Sequence, residues 1–202
     1  CTGGLICPAQ RKQTLIHAAS RKALDIEGLG EKLVDQLVET GLVHTLADIF
    51  KLKVEKLILL ERMGRKSAEN LIEAIDKVRE PALNRLIYAL GIRHVGAKVA
   101  RILATEFGSM EKLQQAQPEE LAQIRDIGDK IAESAVTWLN VPANIDLVER
   151  LAAAGLTMTF TPPASQEDNP FFGKTLVFTG TMPTLGRAEA KTMAQDVGAK
   201  VS

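Results

Sequence analysis

"IEGLGEK", residues 26–32, decides how the chain is read, because the chain writes it four times. The later copies are "LERMGRK" at 60–66, "IRHVGAK" at 92–98 and "IRDIGDK" at 124–130. Each runs apolar, x, x, apolar, Gly, x, Lys, with starts 34, 32 and 32 residues apart. The agreement extends past the lysine. Two residues on stand Val34, Ala68, Ala100 and Ala132, and five on stand Leu37, Leu71, Leu103 and Ala135. Each phrase therefore opens an amphipathic helix whose buried stripe begins with a small or branched residue, as a close helix–helix approach requires.

The flanks match alternately. "TLADIF" from Thr45 pairs with "SMEKLQ" from Ser109, an offset of 64, and "LDI" at Leu24 with "LGI" at Leu90, an offset of 66. Thr45 and Ser109 read as helix N-caps. The repeating unit is then a pair of hairpins, present twice. A fixed period of this size marks a supersecondary unit that buries its apolar face against its neighbours. The expected fold is mainly α, with tandem helix-hairpin-helix repeats in two pairs over residues 14–160.

A glycine between an apolar residue and a helix start fits a tight hairpin with positive φ, or the close approach of another backbone. The helix amides that follow point outward and make an anion site assisted by the helix dipole, with a lysine above it. One such site holds a phosphate weakly; four on a rigid scaffold can hold successive phosphates of a nucleic acid, without reading its bases. The candidate contacts are Gly28, Gly30 and Lys32 in the first copy and Gly64, Arg65 and Lys66 in the second. The third offers Arg93, Gly96 and Lys98, the fourth Gly128 and Lys130. Glu27 and Glu31 weaken the first copy, and Asp126 and Asp129 the fourth, so the second and third rank highest. A single Gly-x-Lys is common at any helix start; four in near-constant register carry the reading. "GLGEKL" at Gly28 is no dinucleotide fingerprint, since it follows a helical pattern and lacks the third glycine.

Composition frames these repeats. The chain has 202 residues, 46% hydrophobic and only 4% aromatic, so Leu, Ile, Val and Ala do most of the packing. No apolar run reaches the roughly 18 residues of a membrane span, and a start at Cys1 reads as a piece of something longer. Formal net charge is zero, but residues 51–108 carry 12 Lys/Arg against 7 Asp/Glu, and residues 109–170 carry 4 against 10. Such asymmetry focuses a field. The two cysteines make no disulfide framework and point to a reducing, intracellular setting.

"TPPASQEDNP", residues 161–170, is a linker by composition, and the grammar changes after it. "KTLVFTG" reads as a buried strand, "RAEAKTMAQDVG" as a helix and "AKVS" as a second strand, the beginning of a βαβ unit in residues 171–202. At the front, residues 1–13 set Cys1 and Cys7 either side of a Gly-Gly turn; they read either as half of a tetrahedral zinc site or as free thiols. His17, His44 and His94 read as surface or packing residues, and Trp138 and Tyr88 as core. No nucleophile with a paired base, carboxylate cluster or phosphate-binding loop after a strand is present, so any chemistry lies elsewhere.

The order of these parts resembles the C-terminal half of the bacterial NAD-dependent DNA ligases. The four phrases are similar to that family's helix-hairpin-helix motifs, and "LERMGRKSAENL" and "IYALGIRHVG" are close to its wording. "CTGGLICPAQRK" resembles the second half of a four-cysteine zinc finger, with Cys1 and Cys7 on its last two Zn2+ ligands. "FFGKTLVFTGTM" resembles the opening of a BRCT domain. The resemblance implies an intact enzyme that seals nicks in duplex DNA by three nucleotidyl-transfer steps, using NAD and Mg2+. Its adenylated lysine lies in a Lys-x-Asp-Gly motif that does not occur here, so this chain alone is expected neither to bind NAD nor to ligate. By the same resemblance the hairpins grip the backbone across the minor groove of nicked DNA. The setting is the bacterial cytoplasm and nucleoid, the protein is a monomer, and the BRCT segment is a point of protein contact. Two rivals stand beside this reading: a helix-hairpin-helix and BRCT adaptor of another repair or replication complex, and a scaffold that binds only protein.

Overall fold

The phrase glycines mark where helices begin, and the computed structural model of the chain shows what stands on either side of each. It describes residues 8–160, 171, 174–178, 186–196 and 199–201. Cys1 and Cys7 lie outside these residues. The first hairpin joins α1 (Pro8–Ala19) to α2 (Glu31–Glu39), and the second joins α4 (Val54–Leu57) to α5 (Arg65–Lys77). The third joins α6 (Leu83–Ala89) to α7 (Ala97–Phe107), and the fourth joins α9 (Pro118–Ala122) to α10 (Asp129–Leu139). Short α3 (Leu46–Ile49) and α8 (Met110–Gln115) link the members of each pair, and α11 (Pro142–Ala153) follows the fourth hairpin. Helix α1 crosses the boundary expected between residues 13 and 14, because "PAQRKQTLIHAA" carries an unbroken helical pattern from its proline onward.

The two helices of each hairpin pack on one another. The residues that permit this are the ones the repeat singles out: Val34, Ala68, Ala100 and Ala132 are each at most 1% exposed. With Leu37, Leu71, Leu103 and Ala135 they join one continuous apolar core running from Leu15 to Leu156. Full burial of each larger side chain is worth about 1.5–3 kcal/mol, and helices this short depend on such burial rather than on their own propensity. Tyr88 and Trp138 sit half-buried against this core.

Both expected caps are present. The Ser109 hydroxyl accepts the Lys112 amide, and the Thr45 amide donates to Asp48 Oδ2 at 2.8 Å in a capping box. Contacts between the two pairs are specific. His17 Nε2 lies 2.7 Å from the Tyr88 carbonyl, joining α1 to α6. Asp48 on α3 pairs with Arg150 on α11. The Arg79 guanidinium, just past α5, donates to the carbonyls of Phe50 and Ala154 and stacks over the Phe50 ring.

The chain divides into two units, Cys1–Phe160 and Thr161–Ser202. In the second, β1 (Thr175–Leu176) and β2 (Lys200–Val201) pair in parallel, Thr175 opposite Lys200, with α12 (Arg187–Asp196) between them in sequence. The parallel pairing agrees with the βαβ reading, but the first strand is not buried. Only two residues pair, and Val177 is 64% exposed. A two-stranded ribbon with one helix against it leaves an open face. Among the described residues no helix is long and apolar enough to cross a membrane.

Candidate nucleic-acid interface

Each hairpin closes with the same hydrogen bond. The amide of the phrase's fourth residue donates to the carbonyl of its first: Leu29 to Ile26, Met63 to Leu60, Val95 to Ile92 and Ile127 to Ile124, at 3.0–3.3 Å. The third residue is left-handed in every copy: Gly28, Arg62, His94 and Asp126 have φ of 84°, 58°, 66° and 70°. A positive φ at the third position alone is what a type II turn requires. Glycine meets that demand without steric cost only in the first copy, so the turn itself accounts for Gly28. The other three side chains are held where an L-residue is disfavoured by roughly 1–2 kcal/mol, and all three are exposed. Backbone strain of this kind gathers at functional sites.

The fifth-position glycines behave otherwise than expected. Gly30, Gly64, Gly96 and Gly128 have φ between −77° and −90° and ψ between 162° and 177°, extended backbone open to any residue. A Cβ built at any of the four meets nothing within 4 Å. Neither positive φ nor a close internal backbone explains them; the positive φ lies two residues earlier. Each is the N-cap of its helix, and none of the four has a side-chain cap. Serine, aspartate or asparagine caps better than glycine; this chain uses Ser109 at α8 and a Thr45–Asp48 capping box at α3. The four hairpin helices instead leave their first two amides without a partner among the described residues, where the dipole and the free N–H groups favour an anion.

The charged side chains around these amides differ from copy to copy. Arg62 and Lys66 take no ion-pair partner among the described residues, and Arg65 makes only a loose 4.0 Å contact with Glu69. Lys32, Arg93 and Lys130 are exposed. Lys98 is engaged: its Nζ donates to Asp126 Oδ2 at 3.0 Å. That hydrogen bond, reinforced by the Lys98 charge and the Arg125 charge, holds the Asp126 carboxyl below the ordinary carboxylate range. At the first residue of the four helices stand Glu31, Arg65, Ala97 and Asp129. The acidic ones sit at the dipole's positive end and compete with an incoming anion.

Contacts across the hairpins show which belong together. Gln36 on α2 donates to the Glu61 carbonyl in the second hairpin, while Leu71 on α5 lies against Gly28 in the first. Lys98 on α7 reaches Asp126 in the fourth hairpin, while Ser134 on α10 donates to the Arg93 carbonyl in the third at 2.8 Å. Each hairpin is thus braced by the helix that follows its partner. The first and second form one reciprocal pair, the third and fourth another.

Sequence reasoning did not pick out the third position of the phrase as a set. Its signal was faint: aligning the copies puts Arg62, His94 and Asp126 under Gly28, but only one of the four is a glycine. Among the described residues no three His, Cys, Asp or Glu side chains gather as metal ligands.

Comparison with known families divides the chain at the same place as the contacts. Residues 20–77, from the turn after α1 through α5, match the SAM-like helix-hairpin-helix tandem, and residues 85–148, from within α6 into α11, match the helix-hairpin-helix motif. Motifs of this kind indicate DNA binding without sequence specificity.

Proposed function

We propose that the paired hairpins hold duplex DNA by its phosphates, and that the chain is the DNA-gripping part of an NAD-dependent ligase acting at nicks. The observation that carries the grip is the set of four glycine N-caps, which neither backbone conformation nor internal packing requires. Glycine there leaves the first-turn amides uncovered. A phosphate oxygen accepts these N–H groups, and the neighbouring Lys66, Arg65 and Arg62 add charge-assisted contacts. Each neutralised phosphate releases counterions, so affinity falls steeply with salt, while the bases go unread.

The ligase assignment is supported by the order of parts: the Cys1–Cys7 segment, two hairpin pairs, a linker and a βαβ segment. In this reading NAD and Mg2+ serve adenylyl transfer in the part of the protein that carries Lys-x-Asp-Gly. Cys1 and Cys7 contribute two thiolates to a four-cysteine zinc site that steadies the fold. The chain's own contribution is to bind and orient the nicked duplex.

Fluorescence anisotropy with nicked and intact duplexes across a salt series tests the grip, with Gly64→Ser and Gly96→Ser combined. Serine supplies the missing cap, so the melting temperature holds or rises by a degree or two. It also occupies the amides that phosphate would use, so affinity drops by about tenfold or more. Undiminished binding would remove the glycine caps from the interface. Equal affinity for nicked and intact duplex would favour the adaptor over the ligase.

A further inference from the structure

The two pairs differ at one matched pair of positions beside the proposed site. By the 66- and 64-residue offsets, Lys32 in the first pair corresponds to Lys98 in the second, and Arg62 to Asp126. The first pair therefore carries two cations at these positions. The second carries a cation and a carboxylate, and the structure joins them at 3.0 Å. Asp126 is also the left-handed residue of its turn, with φ of 70°. Its carboxylate is fixed at the hairpin tip by a backbone conformation that the fold tolerates rather than prefers.

Resting on the phosphate-gripping reading above, we propose that Asp126 is an internal stand-in for phosphate, occupying Lys98 until DNA displaces it. The second pair is then a conditional clamp. Lys98 Nζ already donates to a carboxylate oxygen in the geometry it would use toward a phosphate oxygen. Both side chains remain largely solvent-exposed, at 76% and 50%. An exposed pair of this kind is weak enough to be exchanged. It adds little on its own to the stability of the hairpins, so what it changes is the affinity of Lys98 for an outside anion. In the first pair Arg62 stands in place of the aspartate, and Lys32 takes no ion-pair partner among the described residues. That pair engages duplex first and raises the local concentration of phosphate at the second pair.

The test is a double-mutant cycle in duplex-DNA binding at low salt: the unaltered chain, Asp126→Asn, Lys98→Ala and both together. Asparagine keeps the size of the side chain and tolerates the left-handed backbone. The expected result is a tightening of about threefold to tenfold for Asp126→Asn, and no tightening in the Lys98→Ala background. An equal gain in both backgrounds would make Asp126 a diffuse repulsive charge and overturn the inference. So would an Asp126→Asn variant that binds like the unaltered chain. Failure of every form to bind duplex would sink the phosphate-gripping reading together with this one. Binding by Asp126→Asn alone would support the competitor in its strongest form. Circular dichroism on each variant confirms that the fold is unchanged.

Discussion

The first and second hairpin pairs share a backbone and differ in charge. The same turn hydrogen bond, left-handed third residue, uncapped glycine and small buried residue recur in both. Over that common frame the second hairpin presents Arg62, Arg65 and Lys66. The fourth presents Arg125 and Lys130 beside Asp126 and Asp129. The lesson is that scaffold and grip are separable. Packing residues keep the hairpins in place whatever they carry, and under the proposed function surface charge would set which hairpin holds DNA.

The strongest way to break this comparison is charge reversal. Arg65→Glu with Lys66→Glu in the second hairpin is expected to weaken duplex binding about a hundredfold at low salt. The slope of log affinity against log salt should become shallower by about two phosphate contacts. Lys130→Glu in the fourth hairpin should cost less than about threefold, because two aspartates already surround that site. Salt-titrated anisotropy reads both, and equal losses would mean that the hairpins share the load.

The scaffold side of the comparison is sharpened by overpacking. Ala68→Leu in the first pair and Ala100→Leu in the second each force a larger side chain between helices that touch at a residue with no exposed surface. Each is expected to destabilise by about 1–3 kcal/mol, by similar amounts, in thermal or urea unfolding. A large disparity would show that the pairs are not equivalent as structures.

The smallest effect concerns the joint between the pairs. Burial alone would raise the Asp48 carboxyl, but the amides of His44 and Thr45 and the charge of Arg150 outweigh it and lower the pKa. A carboxyl lowered in the folded state stabilises above its unfolded value, near 3.9, and loses that contribution as pH falls through the folded value. Asp48→Asn should therefore melt a few degrees below the unaltered chain at pH 7, by roughly 1 kcal/mol or less. The gap should close as pH falls through the lowered folded-state value. A gap that persists there would assign the difference to packing instead of charge.

Much of this architecture was legible in the sequence because the repeat writes its packing directly. The small residue two places beyond each lysine is buried in all four copies, and Thr45 and Ser109 cap as their positions suggest. The conformational reason for the glycines was not legible. Positive φ is usually read from glycine, yet at three of the phrase's four third positions the left-handed residue is Arg62, His94 or Asp126, whose side chains conceal the turn. The Lys98–Asp126 contact was hidden for another reason. It joins residues 28 apart on different hairpins, and a list of cations does not say which acid faces which base. The apolar run at Thr175 reads as a buried strand, but burial depends on what stands opposite.

The contacts of Arg79 and Asp48 have a consequence for how the first unit comes apart. Arg79 donates to the carbonyl of Ala154, 75 positions away, and the Asp48 carboxylate accepts from the guanidinium of Arg150, 102 away, so the segment after the fourth hairpin is fastened back onto the first pair. Repeat proteins that touch only their nearest neighbours can fray one module at a time. Here the last module is bonded to the first, and opening either pair breaks ties that belong to the other. Amide hydrogens in α2 and in α10 should therefore exchange with a common opening free energy, as one cooperative block that stays shut or opens whole.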